Sequence, residues 1–503
     1  MASSDSAVLE EPLLGGPRAP VIDRHRSVPP PAPPSLSLES SHAVSATPPP
    51  PTTPTPRARF RRSRPSRLLR RVLPAAATAA AAVLGLVVAT IAAAFALRAS
   101  LPLAVVVWPV LSLLLIAALV TAVRRLLPRR AAPARRWARL RSPLVIAAAA
   151  TAVVGALLGG TVLAPVGGSS AGFGPVAPQF WDLSTGSRVA YWKTDAPAPG
   201  GSDVPIVYLH GGPGGFIFPG DFDFVPALAE TGHDVYMFDQ PGGGYSSDLP
   251  IGDYTLERSL ADIDAVREQT GADRMILVGH SAGGFLAAAY AAAHPDHVER
   301  AVLVSPGTYD TSAEGRDAAA AAQEASAARP SADPGAPQPA PLPLSAQLRL
   351  TAAATLLETV GPDAAVALLS QEDAKKATAV ATGSQGGLNL YANVVLNKDF
   401  EAHWDGVLSQ LAALRMPTLL VRSQYDSVDW RGQHLLAGAV PDSQTVYIPG
   451  AEHAPWALQH DRTIAAVSDF LLDRAQPVYT GDADPGLETD AAAPGPVTEP
   501  GNG

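Results

Sequence analysis

The chain of 503 residues, 47% of them hydrophobic, is longer than one average domain and can bury a sizeable core. Its charge is split: twenty Lys and Arg stand against five Asp and Glu up to residue 170, and seventeen against forty-one from residue 171 onward, so the formal charge of −9 hides a basic front and an acidic back. The acidic back argues against nucleic acid as its partner, because phosphate binding needs clustered Lys and Arg, and the absence of cysteine excludes thiolate metal sites, thiol nucleophiles and disulfides.

Residues 1–71 open with Pro, Ser and Ala in runs such as VPPPAPP and TPPPPTTPTP. They show no apolar periodicity that could support a core, which predicts a disordered cytosolic tail. A membrane region is expected over 72–166, where three charge-free apolar stretches follow one another: 72–97, 101–123 and 143–164. Each has the ~20 residues that a helix needs to cross a hydrocarbon core of ~30 Å. All three are apolar on every side, whereas a helix at the surface of a soluble domain keeps a polar face.

The flanks orient them. RARFRRSRPSRLLRR before the first stretch and RRLLPRRAAPARRWARLR between the second and third carry eight arginines each, and only Arg98 separates the first from the second. Positive charge stays on the cytoplasmic side. The expectation is a multi-pass protein of the cell membrane with its N-terminus inside, the 98–100 turn outside, and everything after residue 165 outside. The basic loops also suit anionic lipid head groups, making the lipid membrane a partner.

Beyond a Gly, Ser and Pro linker the pattern changes over 171–475. GSRVAYW, VPIVYLH, DVYMFD, RMILVGH, RAVLVSP, PTLLVRS and QTVYIPG are short apolar runs suited to strands, several of them continuous enough to be buried on both faces. Helix-prone segments such as TLERSLADIDAVREQT lie between them, so the fold class is α/β with a mostly parallel sheet. Residues 308–405 carry no strand and predict a helical cap, within which the Ala- and Pro-rich stretch 318–344 is expected to be a mobile loop. Residues 476–503 are expected to be a disordered acidic tail.

Two segments match the pattern G-x-S-x-G. GSSAG (168–172) leads into a linker, whereas VGHSAGG (278–284) follows the strand RMILV and opens the helical run GGFLAAAYAAAH. Strand, tight turn and helix together make a nucleophile elbow, so Ser281 is the candidate nucleophile. A serine hydroxyl needs a base, and the base needs an orienting carboxylate. His453, in the loop IPGAEHAPW after a strand, is the candidate base. Asp426 in QYDSVD, the first acid beyond its strand, is the candidate carboxylate, with Asp429 as the alternative; one of the two is expected to be a helix N-cap or a solvated loop charge. Oxyanion donors are expected from the backbone of Ala282, next to the nucleophile, and of Gly212 in LHGGPGG. No cofactor or metal is called for.

HGGPGG (210–215), DQPGGGYS (239–246) and GHSAGG, followed in order by QYD (424–426) and EH (452–453), resemble the α/β-hydrolase superfamily and, within it, the proline iminopeptidase-like serine peptidases. The resemblance implies an α/β-hydrolase fold with a helical cap, a Ser281, Asp426, His453 triad, and removal of an N-terminal residue from a small peptide. Pro241, His280 and Ala282 depart from the residues usual there. In those peptidases, cap glutamates read the substrate's free amine, one of them just before an Asn-His-Tyr-like run. Here GGLNLYANVV puts Leu388 at that place, and Glu358, Glu372 or Glu401 would have to replace it. The alternatives are an esterase- or lipase-like hydrolase of small ester or amide substrates, and a non-catalytic binding module on the same fold.

Overall fold

The computed structural model describes residues 69–127, 142–163, 176–197, 201–327, 342–382, 387–484 and 497–498. The expected cytosolic tail up to residue 68, most of the basic 124–142 loop and the GSSAG segment lie outside the described residues.

Among the described residues three helices come first: α1 (Leu69–Ala96), α2 (Leu101–Leu126) and α3 (Pro143–Gly160). All are long and apolar enough to cross a membrane. The third stops earlier than the predicted 164, at eighteen residues. Small residues let α1 and α2 approach: a Cβ on Gly85 would sit 2.8 Å from the Ile116 side chain. Ile116, Val120, Ala81 and Ala147 form the buried seam of the bundle. Val83, Val88, Leu114 and Val153 project outward with no protein over them, an arrangement suited to hydrocarbon and not to water. Trp108 Nε1 ties the first two helices together by donating to Thr90 Oγ1 (3.1 Å).

The following strands are β1 (Gln179–Asp182), β2 (Arg188–Thr194) and β3 (Ser202–Leu209), then helix α4 (Asp221–Ala227), β4 (His233–Phe238), α5 (Leu256–Thr270), β5 (Met275–His280), α6 (Ala282–Ala293) and β6 (Val298–Val304). They build one eight-stranded sheet in the order β1-β2-β4-β3-β5-β6, completed by two strands from beyond the cap. Pairing is antiparallel across β1, β2 and β4 and parallel from β4 onward. All seven predicted strands exist. The first, QFWD, escapes the sequence pattern because its residues are largely exposed at the sheet edge.

Period-two alternation explains the continuous apolar runs. Val207, Leu209 and Leu277 pack beneath Phe285 and the α5–α6 layer, while Ile206, Tyr208 and Ile276 face Phe224 and the opposite layer. Both faces of the central strands are therefore covered by helices.

The cap comprises α7 (Ala313–Ala327), α8 (Leu344–Thr359), α9 (Pro362–Leu368), α10 (Gln371–Thr382) and α11 (Leu390–Leu411). Two boundaries shift from expectation. Residues 318–327, read as the start of a mobile loop, are helical in α7, as their alanine content favours. The predicted end at 405 falls inside α11, which runs on to 411 because Trp404, Val407 and Leu411 are buried against the α6 layer. The sheet ends with β7 (Thr418–Tyr425), α12 (Trp430–Ala439), β8 (Ser443–Glu452) and α13 (Pro455–Leu471). The predicted disordered tail is also corrected over 476–484: Trp430 Nε1 donates to the Asp482 carbonyl (2.9 Å), and Val478–Tyr479 pairs with Val497–Thr498.

Candidate active site

Strand β5 ends at His280 and α6 begins at Ala282, leaving Ser281 to make the turn alone. Its backbone sits at φ 54°, ψ −125°, a region that L residues other than glycine rarely adopt. Hydrogen bonds hold it there. The Ser281 N–H donates to the Val304 carbonyl (3.0 Å), and the Ser281 carbonyl accepts from Gly284 (2.8 Å) and Gly307 (2.7 Å). The flanking glycines are needed for close approach: a Cβ on Gly279 would lie 2.2 Å from the Gly283 carbonyl oxygen, and one on Gly283 would lie 2.0 Å from that of Leu209. Any side chain at either position would force the elbow open.

The glycine-rich loop after β3 comes directly over this turn. A Cβ on Gly211 would be 2.8 Å from the Ser281 Cβ. Gly212 has φ +144°, and a Cβ there would strike Gly215, so only glycine fits. Ala282, first residue of α6, has an N–H with no partner inside the helix. Gly211 and Ala282 thus bring backbone against Ser281, with Gly212 next in the loop.

The second loop, DQPGGGYS, fastens the first. Asp239 accepts from the Ile217 N–H (2.8 Å) and the Tyr245 N–H (2.9 Å), and burial pushes its carboxyl up to about 6 against those two donors. Gln240 brackets His210, its N–H donating to Nε2 (2.9 Å) and its amide donating to the His210 carbonyl (2.9 Å). His210 Nδ1 donates to the Gly211 carbonyl (2.7 Å). Burial lowers this imidazole to about 4, so it is neutral at physiological pH. The tightest contact is at Gly243, where a Cβ would meet the Gly215 carbonyl oxygen at 1.7 Å. Gly243→Ala is accordingly expected to displace the 211–215 loop and lower kcat/KM at least tenfold, measured on purified protein whose melting temperature is recorded alongside. Unchanged turnover would show that this packing does not position the loop.

From above, the cap holds the same loop. Asn389 caps α11 and its N–H donates to the Gly214 carbonyl (2.9 Å), while Asn393 Nδ2 donates to the carbonyls of Gly212 (3.1 Å) and Pro213 (2.9 Å). Cap and the 211–215 loop are one hydrogen-bonded unit, which the sequence alone did not disclose.

Of the two acids after β7, Asp426 is the one at His453: the imidazole Nδ1 donates to Asp426 Oδ1 at 2.6 Å. Asp429 instead caps α12 through the Gly432 N–H (2.6 Å) and accepts from Thr308 Oγ1. Asp426 also accepts from the Val428 N–H (3.0 Å) and the Gln433 amide (2.9 Å), with Arg422 Nη1 3.3 Å away. Burial alone would raise its carboxyl, but the facing His453, Arg422 and the Val428 N–H together hold it well below the usual carboxylate range. Arg422 is itself buried and reaches Asp484 (2.9 Å) on its far side. A charge inside the apolar run LLVRS was the available signal for this residue; Gln433 and Asp484 gave none.

His453 meets the elbow through His280. The His280 Nε2 donates to the His453 carbonyl (3.0 Å), and the two rings lie 4.9 Å apart. Burial, followed by the neighbouring His453, lowers His280 to about 3, and its Nδ1 is buried with no hydrogen-bond partner. It is a neutral wall of the site that stands between His453 and strand β5.

The three glutamates weighed as replacements for an amine reader all face solvent. Glu358 pairs with Lys398 (3.3 Å), Glu372 with Lys376 (2.7 Å), and Glu401 lies on an exposed face of α11. Among the described residues, no group of three His, Asp or Glu side chains is placed to hold a metal ion.

A mostly parallel sheet with a strained serine elbow after β5 and a histidine loop after β8 defines the α/β-hydrolase fold. The family model for the alpha/beta hydrolase fold matches residues 204–456, half of the chain, and the chain belongs to that family. Curated relatives include the proline iminopeptidase of Saccharolobus solfataricus, 39% identical over 112 residues (21% of this chain, 34% of that protein), and that of Heyndrickxia coagulans, 34% identical over 124 residues (24% and 41%). Another is the Mus musculus 1-acylglycerol-3-phosphate O-acyltransferase ABHD5, 34% identical over 128 residues (25% and 35%). The chain thus spans well under half the length of these relatives. Among solved structures, the proline iminopeptidase of Mycobacterium smegmatis aligns with 59% of this chain and 98% of its own, at 22% identity and a TM-score of 0.41.

Proposed function

We propose that the chain is a membrane-anchored serine hydrolase working through an acyl-enzyme. Ser281 attacks an ester or amide carbonyl, His453 takes its proton and returns it to the leaving group, and Asp426 holds the imidazole. Backbone N–H groups of Ala282 and Gly212 receive the developing oxyanion. The observation that carries this reading is the backbone of Ser281: a serine kept at φ 54° by two flanking glycines and three hydrogen bonds is strain retained for chemistry. The arginine bias of the loops supports an outward-facing domain.

For the substrate, the exposure of all three cap glutamates, two of them paired with lysines, favours recognition of an acyl group over that of a free amine. Release of an N-terminal residue from a small peptide is the second reading, favoured by HGGPGG and DQPGGGYS and by the iminopeptidase relatives. A membrane-impermeant fluorophosphonate added to intact cells is expected to label the wild type and not Ser281→Ala. Labelling only after lysis would reverse the side, and no labelling of folded protein would favour a binding module. On purified protein, short-chain aryl esters are expected to turn over faster than a prolyl-arylamide; the opposite order would establish the peptidase.

A further inference from the structure

The turn between α1 and α2 is not free. Leu97 and Ala104 are buried against Ala364 of α9, with Ala96, Leu101, Leu356, Val360 and Ala367 packed around them. The outer end of the membrane hairpin and the cap are therefore one apolar cluster. Ala104 lies three residues into α2, about 4.5 Å along its axis at the helical rise, so α9 meets the hairpin below its last polar residue, Ser100.

The apolar surface continues beyond that contact. Residues at four-residue spacing share one row on a helix, and on α8 that row reads Leu344, Leu348, Ala352, Leu356 and Val360. Its far end, Leu356 and Val360, packs partly buried against the hairpin cluster, whereas Leu348 and Leu344 are 39% and 66% exposed; on α9, Val366 is 37% exposed beside the buried Ala364. The inner side of α8 is already used, with Ala353, Leu350 and Leu357 packed in the cap's own core. Of the two charges on α8, Glu358 pairs off the row with Lys398, and Arg349 donates to the Leu368 carbonyl of α9. The row is thus apolar, partly uncovered, and continuous with a helix pair suited to hydrocarbon.

We propose that this row of α8, with Val366 of α9, rests on the lipid bilayer that holds the hairpin, making the cap an interfacial element. The inference depends on the membrane anchoring proposed above. It supplies a substrate class for the same site: acyl compounds that partition into the outer leaflet reach the cap without crossing bulk water. Asn389 and Asn393 then connect the lipid-facing cap to the loop over Ser281.

The absence of cysteine makes the test clean. Full-length chains carrying Val88→Cys, Leu348→Cys, Val366→Cys or Leu435→Cys are nitroxide-labelled in phosphatidylcholine/phosphatidylglycerol nanodiscs, and accessibility to oxygen is compared with that to a water-soluble nickel chelate. The oxygen-to-nickel ratio is expected to be several-fold higher at 88, 348 and 366 than at 435, an exposed position on α12. Water-like ratios at 348 and 366 beside a lipid-like ratio at 88 would overturn the cap proposal alone. A water-like ratio at 88 would overturn the anchoring itself. As a functional readout, Leu348→Glu with Val366→Glu is expected to slow hydrolysis of a bilayer-partitioned long-chain ester several-fold and to leave a soluble short-chain ester unaffected. Equal effects on both would count against lipid delivery.

Discussion

Ser281→Ala is expected to lower kcat by about 10⁶-fold on whichever ester or amide is turned over, the size of loss seen when the nucleophile of a serine triad is removed. The oxyanion backbone and the binding surfaces survive that change, so the remaining rate should still exceed that in water. Ser281→Gly separates chemistry from strain. A non-glycine residue held at such a backbone conformation costs of order 1–3 kcal/mol, and glycine adopts it without a Cβ penalty. The glycine variant should therefore be inactive and yet melt higher than the wild type by thermal unfolding in the same detergent. The alanine variant keeps the Cβ and should gain little. Near-normal turnover in either variant would remove Ser281 from the chemistry. A glycine variant that melts lower would mean that the surrounding hydrogen bonds already relieve the turn.

The elbow was legible because its requirements are local. A tight strand-to-helix turn needs glycines two positions either side of the serine, and the central strands, buried on both faces, leave unbroken apolar runs. Distinctions that depend on partners far along the chain were not legible. Asp426 and Asp429 stand three residues apart after the same strand, and what separates them is that Gly432 lies one helical turn beyond Asp429 while His453 arrives from another strand end. The edge strand QFWD has no buried face to create a pattern. The tail beyond 476 has the low apolar content of a disordered segment, and composition cannot register a single indole N–H or a single buried guanidinium waiting for its residues. The cap glutamates were plausible by type; that they turn outward to solvent is a matter of helix phase fixed by packing on α6 and within the cap.

Arg422 shows how far such a long-range partner reaches. It is 2% exposed and lies between the carboxylates of Asp426 and Asp484, also donating to the Val428 carbonyl (2.8 Å) and to Gln433 (3.1 Å). Arg422→Met fits an apolar side chain into the same space but leaves two acids facing each other across it. Breaking a buried ionic group by removing one partner typically costs about 3–5 kcal/mol, and a loss of that size is expected in denaturant or thermal unfolding. Asp426 keeps His453, Val428 and Gln433, so turnover by the folded fraction should fall much less than stability does. The pH dependence follows from the direction of its shift. A carboxyl depressed in the folded state contributes stability that is complete above the ordinary carboxylate range and is lost as pH falls toward the folded value. Without Arg422 that folded value rises, so acid unfolding should begin at a higher pH. Adding Asp484→Asn to Arg422→Met removes the second stranded charge and should restore part of the loss, whereas Asp484→Asn alone should destabilise. A double-mutant cycle measures this as a coupling of about 0.5–3 kcal/mol between 422 and 484. A coupling near zero would make the tail contact a surface ion pair without consequence, and would leave Arg422 to serve Asp426 alone.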